Sequence, residues 1–126
     1  MNKHPKLYSD LIGFFKIYWP HHLNLPKAFR LSAGENILRE LNQSLTLAAA
    51  ANSADHNRPE DRFEAAERLR AVRLSLESAR SLLMLAWEMK FISSAVFADL
   101  DRRLEELGHQ AARWRGWFEK VSANDT

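Results

Sequence analysis

The chain has 126 residues, 46% of them hydrophobic and 27% charged, with no cysteine and a net charge of +2. That length suits a single domain that withdraws about two-thirds of its unfolded surface from water, so no metal or disulfide is needed to hold a core. The lack of cysteine excludes a disulfide framework and thiol chemistry and fits a reducing cytoplasm.

Helix one is expected over 5–19, with Pro5 in its first turn, Leu7, Leu11, Phe14 and Tyr18 on one face, and Trp19-Pro20 at its end. Upstream, Lys3, His4 and Lys6 are followed by Asp10, Lys16 and aromatics, so neither a signal peptide nor a membrane span of roughly 20 apolar residues is expected. His21 and His22, just past that end, are read as partners for the helix C-terminus. Asn24 caps helix two, expected over 25–51, with Pro26 in its first turn and Leu31, Leu38, Leu41, Leu45 and Ala48 as its apolar track. Gly34 falls in the same line. A glycine there costs about 1 kcal/mol against alanine, which points to close packing.

The stretch from Asn52 to Pro59 is the main loop. Helix three follows over 59–91 with the seam Leu69, Val72, Leu76, Ala79, Leu83 and Ala86. Ser93 or Ser94 caps helix four, over 94–121, and so short a link makes the two helices antiparallel neighbours. Helix four repeats apolar residues at Phe97, Leu100, Leu104, Leu107, Ala111, Trp114, Phe118 and Val121, the three- and four-residue steps of a bundle seam. Asn124 to Thr126 is expected to fray. Residues 1–126 thus read as one all-α domain, an antiparallel up-and-down four-helix bundle.

Catalytic patterns are sparse. Glu106 and His109 form the Glu-x-x-His spacing of di-iron bundles, which place both ligands on one helix face but need a second copy and further carboxylates. A small bundle metalloenzyme is therefore the alternative, and no metal or other cofactor is the expectation. The acids Asp99, Asp101, Glu105 and Glu106 lie among Arg102 and Arg103, where ion pairs within the helix are the ordinary explanation.

Charge and aromatic placement point to binding. Between Met1 and Leu31, Lys3, Lys6, Lys16, Lys27 and Arg30 stand against the single acid Asp10. On helix three Arg73, Arg80 and Trp87 recur every seven residues beside the seam, with Arg70 on a nearby face. That row serves either salt bridges inside the bundle or contact with a partner or nucleic acid. Trp114 and Phe118 fall on the seam and are expected in the core. Trp117 is off it, flanked by Arg113 and Arg115, which suits a subunit or RNA contact.

Read in order, these segments resemble the Avd proteins, the accessory variability determinants of diversity-generating retroelements, and the related four-helix bundles of ribosomal-RNA intervening sequences. The resemblance covers most of the chain. It rests on the entry Pro26-Lys27-Ala28-Phe29-Arg30-Leu31-Ser32-Ala33-Gly34, on Leu82-Leu83-Met84-Leu85-Ala86 with Phe91-Ile92-Ser93, and on Leu104-Glu105-Glu106-Leu107-Gly108 followed by Trp114. The chain departs from the family at Met84 and Trp87, where arginine and lysine are usual, and at Ala112-Arg113 in place of Gly-Gly; Arg80, Lys90 and Arg113 are the basic residues able to compensate.

What the resemblance implies is a cytoplasmic, non-catalytic subunit that forms a homopentameric barrel and binds a reverse transcriptase and its template RNA, and possibly cDNA. Lys27, Arg30, Arg70, Arg73, Arg80, Arg113 and Arg115 would meet polymerase or RNA. Gly34, Trp87, Trp114, Trp117 and Phe118 would serve packing within or between protomers. An orphan intervening-sequence bundle without a polymerase partner is the third reading.

Overall fold

The structure, a computed structural model, describes residues 5–124. Lys3 and His4, and Asp125 and Thr126 of the expected tail, lie outside the described residues. Helix α1 spans Pro5–Leu23. Helix α2 is one rod in three pieces, the turn Lys27–Phe29, a π-helical turn Arg30–Gly34 and the long segment Glu35–Asn52. Helices α3 and α4 span Pro59–Glu88 and Ser94–Asn124. No strand occurs among the described residues, and no helix is long and apolar enough to cross a membrane.

α1 and α3 each pack against both α2 and α4, so four helices close around one interior. The seams expected for α1, α3 and α4 supply most of that interior, with Leu7, Tyr18, Leu69, Leu83, Leu100 and Trp114 all but removed from solvent. Three polar pairs register α3 against α4: Arg62 with Ser122, Arg80 with Asp101, and Trp87 with Ser94.

α1 does not stop at Trp19-Pro20; it runs one turn further. Proline removes one backbone donor. In the last turn the carbonyl freed is that of solvent-exposed Lys16, while beyond Pro20 His22 is anchored from below by Tyr18. The chain then turns through backbone bonds from Asn24 to His21 and from Leu25 to His22. Arg30 Nη1 donates to the Leu23 and Leu25 carbonyls at 3.2 and 3.4 Å, satisfying acceptors that a helix end leaves open.

The apolar track expected for α2 is partly displaced. Its buried line is Gly34, Ile37, Leu41, Ser44, Ala48 and Ala51, whereas Leu31 is 56% exposed and Leu38 and Leu45 are half-buried. The π-helical turn contributes to this offset, because one widened turn rotates the residues before it relative to those after it. Ser32 stabilises the turn, its hydroxyl donating toward the Ala28 and Phe29 carbonyls at 2.7 and 3.2 Å. Asn24 makes no cap. The first α2 turn starts after Pro26 and has no side-chain cap at all.

Pro59 opens α3, with Glu60 and Asp61 in its first turn where the helix dipole favours acids. α3 closes at Glu88, three residues before the expected end. Lys90 N–H bonds to the Trp87 carbonyl and Phe91 N–H to that of Ala86, both at 2.9 Å, with Lys90 at φ 65°. This is a Schellman closure whose left-handed position, commonly glycine, carries a lysine. Ser93 then caps α4 by accepting from the Val96 N–H at 3.1 Å.

Candidate functional site

Between α3 and α4 runs an outward groove of about 420 Å³, lined by Arg73, Glu77 and Arg80 from one helix and Glu105, Gly108 and His109 from the other. The seven-residue spacing brings Arg73 and Arg80 to the same flank. Both have partners: Arg73 faces Glu77 at 3.9 Å, and Arg80 crosses to Asp101 of α4. The Asp101 carboxylate raises the Arg80 pKa further above its ordinary value. Bundle salt bridging, one of the two readings of this row, is therefore present, and both guanidinium groups remain solvent-exposed.

The other basic candidates are dispersed. Arg113 pairs with Glu106 and Arg115 with Glu119, each at 3.3 Å along α4. Arg30 is committed to the carbonyls at the end of α1. Lys27 and Arg70 are exposed, with no ion pair to another described residue. The seven cations thus do not converge. Arg73 and Arg80 share one groove, while Lys27 and Arg30 lie at the α1–α2 corner.

Every aromatic candidate packs on its own chain. Trp114 and Phe118 are buried as expected. Trp87 stacks on Phe97 at 5.0 Å between ring centres and donates to Ser94 Oγ, filling the α3–α4 corner. Trp117 is half-buried, set edge-on to Phe118 at 4.9 Å and tilted against His56 at 6.1 Å, so it covers the loop between α2 and α3. Gly34 meets its own protomer: a Cβ there would lie 3.2 Å from the His22 ring and 3.3 Å from the Phe29 carbonyl.

Glu106 and His109 open onto different sides of α4. His109 lines the α3–α4 groove, while Glu106 lines a second groove, of about 280 Å³, between α1 and α4. Among the described residues no three His, Cys, Asp or Glu side chains come together as a metal would require.

Three buried polar features escape a reading based on apolar periodicity. His22 is 3% exposed, its Nδ1 3.0 Å from the Tyr18 hydroxyl. Arg62, also buried, donates to Ser122 Oγ at 3.1 Å and to the His56 carbonyl at 2.8 Å. Gln110 is buried between α1 and α4 and donates to Asp10 Oδ2 at 2.9 Å, while its Oε1 finds no partner among the described residues. Lys6 and Gln110 together hold the Asp10 carboxyl below the usual carboxylate range. The available signal was phase: His22 and Gln110 both sit in register with the apolar seams of their helices.

Comparison of the chain with protein-family models, with curated proteins and with solved structures gave no match.

Proposed function

We propose that this chain is a non-catalytic accessory subunit of the Avd kind: an antiparallel up-and-down four-helix bundle that assembles as a homopentamer in the cytoplasm. It engages a reverse transcriptase with its template RNA and the cDNA made from it. The chemistry belongs to the polymerase. For the topology, the support is the pairing of Arg62, early in α3, with Ser122, late in α4, and of Trp87 with Ser94 at the other end.

For the binding role, the observation that carries the reading is the shared exposure of Arg73 and Arg80 along one groove. The Arg73–Glu77 pair is solvent-exposed, and such pairs are worth about 0–1 kcal/mol, while Arg80 keeps an exposed guanidinium opposite the half-buried Asp101. A backbone phosphodiester offers a guanidinium a bidentate acceptor of the same single charge, and release of the polyanion's condensed counterions favours exchanging a weakly held carboxylate for it.

The test is binding of single-stranded template RNA, and separately of the polymerase, by the full chain across a salt series. Arg73→Ala with Arg80→Ala should weaken RNA binding and flatten the log-affinity against log-salt slope by about 1.4, at roughly 0.7 per phosphate lost. Unchanged affinity for both RNA and polymerase would make the row purely structural.

A further inference from the structure

α1 carries two apolar stripes. The buried one, Leu7, Leu11, Phe14 and Tyr18, is followed residue for residue by a second, Tyr8, Ile12, Phe15 and Trp19, extended by Leu23. A one-residue offset turns the second stripe about 100° around the helix, to the flank of the bundle, where Tyr8, Trp19 and Leu23 are exposed and Ile12 and Phe15 are half-buried. α2 repeats the device, since Leu31, Leu38 and Leu45 recur every seven residues beside its buried line. The two second stripes adjoin: Phe15, Trp19 and Pro20 line one groove with Leu38, about 600 Å³ and almost wholly apolar, with Lys16 on its rim. Lys27 lies one turn before Leu31, and Glu35 one turn after it.

The diagonal helix has a matching relief. Along the outer side of α3, Phe63, Leu74 and Leu85 recur every eleven residues, three turns apart, and Phe63 is the most exposed large apolar side chain described, at 68%. Glu67, Glu77 and Glu88 lie on the same side, with Arg70 among them. Three apolar knobs on one side of the bundle, with three glutamates against one arginine around them, complement an apolar trough on the other with Lys16 on its rim. α1 and α3 are not neighbours, so one copy can present both faces at once.

From these two faces we infer that copies of this chain join through unlike surfaces, the α3 ridge of one copy seating in the α1–α2 groove of the next. The inference rests on the reading of the chain as a self-assembling subunit and names the surfaces through which it does so. A contact between unlike faces closes into a ring or continues as a filament, whereas a symmetric pair would use the same face twice. Arg70 is covered in such an assembly. Arg73 and Arg80, about a quarter-turn from the knobs, stay open to a polyanion.

The experiment is the solution mass of the full chain by light scattering over a concentration series, for the natural protein and for two variants. The ridge variant is Phe63→Glu with Leu74→Glu. The groove variant is Trp19→Glu; Leu31→Glu replaces it if circular dichroism shows that loss of the Trp19 ring, which stacks on His22, disturbs the fold. The natural chain should be a multimer, and each variant alone should fall to the 14.6 kDa monomer. An equimolar mixture of the two should then give a species of twice that mass that grows no further, because each variant keeps the face the other has lost.

A natural chain that is monomeric at every concentration overturns the inference. A multimer that survives either variant, or a mixture that stays monomeric, overturns it too. In those last two cases self-assembly itself stands, through other surfaces, and RNA and polymerase binding are read separately by the arginine variants.

Discussion

Burial holds the His22 imidazole below its ordinary pKa, against the smaller opposing pull of the Glu35 carboxylate, and Arg30 lowers it further. The ring shares a hydrogen bond with the Tyr18 hydroxyl through Nδ1 at 3.0 Å. Since the folded pKa is the lower one, the unfolded chain takes up the proton first as pH falls. Stability is therefore complete above about pH 6.5, the unfolded value, and is lost as pH drops from there toward the folded pKa. Thermal melts between pH 8 and 5 should show this decline in the natural chain and a flatter one in His22→Asn. An equal decline in both would assign the loss to other groups. Phase is the one local signal for this pair, and it is ambiguous, because a histidine in register with Leu7, Leu11 and Phe14 reads equally well as a polar break at the end of a stripe.

At the scale of single elements, backbone geometry explains where the chain tolerates change. Gly116 lies inside α4 with no atom near the position of a missing Cβ. Gly116→Ala should stabilise by about 0.5–1 kcal/mol through helix propensity. Gly34→Ala brings the same propensity gain but forces a methyl against a ring held by Tyr18 and Trp19 and against a backbone carbonyl, neither free to move. Overpacking of that kind costs about 1–3 kcal/mol, so the net change should be a loss. Lys90→Gly should stabilise as well, by about 1–2 kcal/mol, by relieving the left-handed residue of the α3 closure. Chemical denaturation of the three variants checks all three signs. The glycine line of α2 was visible in the sequence. The π-helical turn that aims Gly34 at His22 was not, since no residue pattern distinguishes a widened turn from a regular one.

Taken whole, the molecule has one interior shared by all four helices, so no helix buries its stripe without the other three. Unfolding should be a single cooperative event, with tryptophan fluorescence and far-ultraviolet ellipticity changing together through a denaturant transition. The fluorescence samples several regions, since Trp87 lies at one end of the α3–α4 pair and Trp117 against the α2–α3 loop. Separated transitions would mean that α1, which contributes its stripe to the same core, detaches before the rest.

The chain alone determined the number of helices, their approximate limits and three of the four buried faces. Apolar spacing of three and four residues is a local property that survives whatever the neighbours are. It also determined that the bundle needs no cysteine to hold its core. Only the tertiary structure decided what the ionic and polar side chains do. That Arg80 meets Asp101, 21 residues away, while keeping its guanidinium exposed in a groove could not be read from the spacing. Glu106 and His109 share a spacing but not a groove, and Trp117 covers a loop that lies almost half the chain before it. Long side chains reach across helices, and which neighbour they meet depends on the rotation and stagger of elements distant in sequence, which a one-dimensional pattern does not contain. The same holds for the second apolar stripes of α1 and α2. Their residues were plain to read, but only the packing showed which of them the bundle leaves exposed: Tyr8, Trp19, Leu23 and Leu31.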